Sequence, residues 1–197
     1  CIRDSVITVN AVNDGIKGKN YIAVNNGTIT VNAGADGLQS NNDEDAEKGF
    51  VLIEGGTLNI TSVMDGIQVE TSLAINGGTV SISTGGGSGQ SYDSDVSAKG
   101  LKANVDITIA GGVVNIVSFD DGINSNVSVT INGGDTLISS GDDGIHANSA
   151  ITFNGGSVNI TKSYEGIEST TITVNDGNIH VVATDDGLNA AGGVDGS

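Results

Sequence analysis

Two neighbouring carboxylates precede a glycine at Asp120-Asp121-Gly122, again at Asp142-Asp143-Gly144, and again at Asp185-Asp186-Gly187. Oxygen clusters of this kind suit a hard dication, which takes six to eight oxygen ligands. If the chain repeats at the step that carries the first doublet onto the second, Asp120, Asp121, Asp142 and Asp143 make a candidate calcium site. Asn41, Asp43, Asp45 and Glu47 offer oxygens at every second residue, the alternation that opens an EF-hand loop, but without its central glycine or distal glutamate. Asp93 and Asp95 close a Gly/Ser-rich run with the same alternation. Each Asp of the series, Asp14 and Asp186 among them, is also suited to capping its own Asp-Gly turn through nearby backbone N–H groups; Asp65 stays among the metal candidates.

Lysine interrupts this acid series. Lys99 stands where the repeat otherwise has Asp, and Lys102 follows three positions on. An ammonium between Asp65 and Asp121 relieves their repulsion; it could also bind a sugar carboxylate or, with a lowered pKa, abstract a proton. His146 and His180 fall on different columns. The spacing predicts no His/Cys/Asp cluster for zinc and no Ser-His-Asp set.

The positioning elements follow from the interval. Asp-Gly-Ile/Leu or a variant begins at Asp14, Asp36, Asp65, Lys99, Asp121, Asp143, Glu165 and Asp186. These starts define a unit of about 22 residues, interrupted near 41–49 and 85–96, a length typical of solenoid repeats. Aligned on a second glycine (Gly27, Gly56, Gly78, Gly112, Gly134, Gly156, Gly177), apolar residues recur five before it, three before it and four after it, as in Val129, Ile131 and Ile138. Polar residues separate them, and Asn25, Asn76, Asn132, Asn154 and Asn175 form a further column. Three short strands with period-2 patterning and no helix signal cannot bury an apolar side alone, but stacked coils can. The expected fold is an all-β parallel β-helix, a solenoid of three strands per coil forming one domain over 1–197. Eight coils at about 4.8 Å give a rod of roughly 35 Å.

Composition agrees. Thirty-one glycines, no proline and no tryptophan argue against an ordinary sandwich or bundle. Seven basic residues against 24 acidic ones, net −17, exclude nucleic acid and anionic membrane as natural partners. Cys1 alone forms no internal disulfide; it could stand for an acylated first residue, but Ile2 already fits the core pattern, so the chain is expected to begin within a repeat. No apolar run approaches the length of a membrane-spanning helix.

Both insertions flank the face bearing the acid column. The positions three after each acid (Lys17, Gln39, Gln68, Lys102, Asn124, His146, Glu168, Asn189) are all polar. A polar stripe between loop walls is expected to be a groove for an extended polar polymer, with Lys17, Gln39, Gln68, Lys99, Lys102, Asn124 and His146 as carbohydrate contacts. No outward Thr column is apparent, which disfavours an ice-binding face.

DGIKGK (14–19), SNNDEDAEKGFVLIEGGTLNIT (40–61), SAKGLKA (97–103), SGDDGIHA (140–147), NGGSVNITKSYEGIES (154–169) and TDDGLNAAGG (184–193) resemble the clostridial carbohydrate-binding domain family over essentially the whole chain. The resemblance implies a secreted, right-handed, pectate-lyase-like parallel β-helix that binds calcium and plant cell-wall polysaccharides, including cellulose and acidic pectic chains. It supports Asp43, Asp45 and Glu47 as calcium ligands. Tyr21, Tyr92 and Tyr164 do not share a column and there is no Trp, so an acidic sugar bridged through calcium fits better than a stacked neutral one. The function expected is a monomeric, extracellular or cell-surface polysaccharide binder using calcium. The alternatives are a calcium-dependent pectate lyase with Lys99 or Lys102 as base, and a structural surface adhesin.

Overall fold

Alternation of Val and Ile with small polar residues makes short strands, and the regular return of the repeat places each strand beside its copy. The structure is a computed structural model describing residues 1–90 and 97–190; Asp93 and Asp95 lie outside the described residues. Among those described, every strand pairs parallel and there is no helix. The fold is a parallel β-helix with three faces.

The first face stacks eight strands: Ser5–Ala11, Gly27–Ala33, Thr57–Ser62, Thr79–Thr84, Val113–Val117, Asp135–Ser139, Ser157–Lys162 and Asn178–Val181. The second stacks the strands that follow each acid, from Ile16–Gly18 through Leu38–Ser40, Ile67–Val69, Leu101–Ala103 and Ile123–Ser125 to the starts of Ile145–Phe153 and Ile167–Val174. The third runs from Tyr21–Val24 through Phe50–Ile53, Ser72–Ile75, Asp106–Ile109 and Ser128–Ile131 into the ends of those two long strands, which join it to the second.

The expected apolar columns are the core. Val129, Ile131 and Ile138 are fully buried, as are their counterparts Ile107, Ile109 and Ile151 on adjacent coils. Register is one-to-one across almost every pair, so like stacks on like. One slot departs: Thr136 lies between Val114 and Val158 in an aliphatic column, buried, with its hydroxyl unbonded.

Glycine answers two different demands. Gly134 has φ +83°, a left-handed conformation that L side chains avoid. Gly122, of the Asp-Gly pair, is not in that region; its missing Cβ would meet Ile138 Cγ2 at 2.5 Å and the Gly144 carbonyl at 2.6 Å. The Asp-Gly glycine is thus a close approach between coils. The surface adds a correction. Thr108, Thr130, Thr152 and Thr173 do stack outward on the third face, although they are confined to its later coils.

Candidate functional site

The acid column is a ladder. Oδ1 of Asp36, Asp65, Asp121 and Asp143 accepts the backbone N–H of Asp65 (3.0 Å), Lys99 (2.9 Å), Asp143 (3.1 Å) and Glu165 (3.3 Å) respectively. Each carboxylate therefore caps the following coil, where local reading expected it to cap its own turn. Stacked like charges are tolerable here because each oxygen meets a donor.

The second oxygens face the residue three positions on. Asp14 Oδ2 pairs with Lys17 Nζ at 3.1 Å, Asp36 Oδ2 accepts from Gln39 at 2.6 Å, and Asp121 Oδ2 accepts from Asn124 at 2.7 Å. Gln39 also donates to Gln68 Oε1 at 2.9 Å. The polar stripe thus spends much of its hydrogen-bonding capacity on the acid column. Its middle is sunken: Asn124 and His146 are buried, whereas Lys17 is exposed and Gln39, Gln68 and Lys102 are half-buried.

Lys99 is embedded in the doublets. Its ammonium lies 2.6 Å from Asp121 Oδ2 and 3.0 Å from Asp120 Oδ2, while Lys102 Nζ pairs with Asp65 Oδ2 at 3.1 Å and donates to Ser97 Oγ at 3.2 Å. Burial works to lower the Lys99 pKa, but the Asp121 and Asp120 carboxylates outweigh it and hold the ammonium above the ordinary lysine range. Asp120 is raised by burial, then by the Asp121 charge, against the pull of Lys99.

The four acids expected to share one ion divide between two groups. Ligand atoms of Asp120, Asp121 and Asp142, all buried, lie within 4.8 Å of one another; so do those of Asp143, His146 and Glu168. Either group could hold a metal ion. In the first, Asp120 Oδ1 is buried and has no hydrogen-bond partner. In the second, His146 Nδ1 is 3.1 Å from Glu168 Oε2 and 3.4 Å from Asp143 Oδ2, with Nε2 2.9 Å from Asn148 Oδ1. This corrects the expectation that no histidine joins a metal-ligating set. Glu168 could have been found from the sequence, since it stands one repeat after His146 in the stripe. Burial lifts Asp143 to about 7; the His146 hydrogen bond opposes this, and Asp121, Asp142 and Glu168 add to it.

The insertions enter at opposite edges of the second face. Residues 41–49 form a capped turn: Asn42 donates to Asn20 Oδ1 at 2.7 Å and accepts from the Glu44 and Asp45 N–H groups, both at 3.1 Å. Asp45 accepts from Glu47 N–H and pairs with Lys48 at 2.8 Å, and the Lys48 hydrogen bond holds its carboxyl below the usual range. Asn41 is half-buried; Asp43 and Glu47 are exposed. Across the face, residues 85–90 reach over later coils, where Ser88 bonds Ser139 Oγ at 2.8 Å and its carbonyl accepts from Lys162.

Residues 1–144 and 125–166 match the family of carbohydrate-binding domain-containing proteins. The chain belongs to that family. No curated protein and no solved structure matches it. The stripe of Lys17, Gln39, Gln68 and Lys102 leaves polar groups partly exposed, and the buried acid groups beside it could hold a metal ion. Sequence reasoning missed one surface element of this domain. Tyr21 stacks on Phe50, not on another tyrosine.

Proposed function

We propose that this carbohydrate-binding domain is a non-catalytic, extracellular or cell-surface monomer that binds plant cell-wall polysaccharide with the help of calcium. The observation supporting a cation is Asp120 Oδ1, a buried carboxylate oxygen without a partner beside two further buried carboxylates. An all-oxygen donor set fits calcium better than a soft metal. Asp120, Asp121 and Asp142 would hold it, with Lys99 as the neighbouring charge. Bound there, calcium supplies positive charge that lets a chain of net charge −17 accept an acidic sugar. Pectic chains such as polygalacturonate are the ligands we favour for this face, with the hydroxyls of the sugar reaching Lys17, Gln39, Gln68 and Lys102.

The lyase alternative needs a base. Lys99 is held as an ammonium by two carboxylates, and Lys102 is engaged by Asp65 and Ser97, which favours binding over β-elimination. Mixing the protein with polygalacturonate and calcium is expected to give a complex with no growth in the ultraviolet absorbance of an unsaturated product. Growth of that absorbance would replace the binder with a lyase. A protein that holds no plant polysaccharide at all would leave only a structural rod.

A further inference from the structure

Lys99 puts a cation into a column that otherwise holds acids: Asp36 and Asp65 precede it there, and Asp121, Asp143 and Glu165 follow. The fold does not ask for it. An aspartate in this column accepts the N–H of the next coil, as Asp36, Asp65, Asp121 and Asp143 do. A lysine side chain has no acceptor with which to make that rung. The Lys99 backbone keeps to the pattern, with its N–H on Asp65 Oδ1 and its carbonyl accepting from Gly66. Only the side chain departs from it, and that side chain is 12% exposed.

The side chain ends inside the carboxylate cluster. Its ammonium stands 2.6 Å from Asp121 Oδ2 and 3.0 Å from Asp120 Oδ2, on two of the three acids whose ligand atoms converge with Asp142. A calcium ion sits about 2.3–2.6 Å from each of its oxygens, so ion and ammonium claim the same ground, and their like charges repel. One ammonium offsets one of three carboxylate charges, which leaves the cluster attractive to a dication. Asp120 is 4% exposed, and its Oδ1 is buried without a hydrogen-bond partner among the described residues. Lys102 is not the competing group, since its ammonium pairs with Asp65 at 3.1 Å.

We propose that Lys99 is a tethered counter-ion of this cluster, and that a dication fills the cluster only by displacing the ammonium from Asp120 and Asp121. The inference rests on reading Asp120, Asp121 and Asp142 as a calcium site and adds its regulation. Asp120 Oδ1 is the point of entry, an oxygen that the ammonium leaves free. Breaking both ion pairs is subtracted from the binding energy, so the site fills only where the dication is abundant. Sodium carries no more charge than the ammonium and leaves the pairs intact.

The test is calcium calorimetry on the intact protein and on Lys99→Met, joined to reductive methylation of the lysines in EGTA and in calcium, read by mass spectrometry. In the intact protein Lys99 is expected to be protected in EGTA and to methylate at least about tenfold faster in saturating calcium. Lys19, already exposed, should label equally in both. The Lys99→Met variant should bind calcium at least about tenfold more tightly. In EGTA it should melt below the intact protein, because buried carboxylates have lost their counter-charge. Removing a nearby positive charge strengthens calcium binding even without displacement, and the labelling separates the two. Lys99 still protected in the calcium-loaded protein would overturn this inference alone, as would equal or weaker calcium affinity in the folded variant. Calcium binding by neither protein would sink the parent reading as well. Should Lys99→Met fail to fold, the labelling of the intact protein still decides.

Discussion

Asp120 and Asp121 are adjacent in sequence and differ in what they do. Asp121 is a rung of the ladder, with one oxygen on the Asp143 N–H and the other on Lys99 and Asn124. Asp120 gives one oxygen to Lys99 and keeps one buried oxygen unpartnered. The second acid of the doublet therefore serves the fold, and the first is the better candidate for an ion. Asp143 makes a pH prediction. Burial sets its folded pKa to about 7, against about 3.9 in an unfolded chain. Between those values the folded chain binds the extra proton, so stability falls as pH rises. In EGTA, the melting temperature is expected to drop between about pH 4 and pH 7, and Asp143→Asn should flatten the drop while keeping an acceptor for the Glu165 N–H. A flat profile in the unmodified protein would contradict this.

At the scale of strands and loops, the columns of Val and Ile were legible because a solenoid writes its core as a period. The acid ladder was not, because its partner lies a whole coil away: Asp121 looks like the cap of its own turn until Asp143 is stacked on it. For the same reason the stripe looks outward, while Asn124 and His146 are in fact covered. Insertion 41–49 alternates oxygens as a cation loop does, yet Asn42 and Asp45 spend theirs on the loop's own N–H groups. Thr136 marks a place where the strand pattern is locally unfavourable. Its hydroxyl is buried and unbonded between Val114 and Val158. Thr136→Val is expected to stabilise the protein by about 1 kcal/mol, since it removes an unsatisfied polar group at nearly constant volume. Denaturant unfolding checks it, and a loss of stability would show that the hydroxyl has a partner.

Taken whole, the molecule is a three-faced rod, and two of its faces differ sharply in chemistry. One carries buried carboxylates beside half-open amides and ammoniums; the other carries stacked rings beside a polar loop. The sequence shows the first through its repeated acids. It hides the second, since the partner of Tyr21 is a phenylalanine displaced by an insertion from the regular step of the repeat. Family membership supports carbohydrate as the ligand, and the orphaned oxygen of Asp120 supports a cation at the acidic face. The most direct test of that central claim is calcium titration calorimetry on the intact protein, on Asp142→Asn and on Asp43→Asn. Calcium binding is expected to weaken at least about tenfold in Asp142→Asn and to be unchanged in Asp43→Asn. Full calcium affinity in Asp142→Asn, or its loss in Asp43→Asn instead, would contradict it.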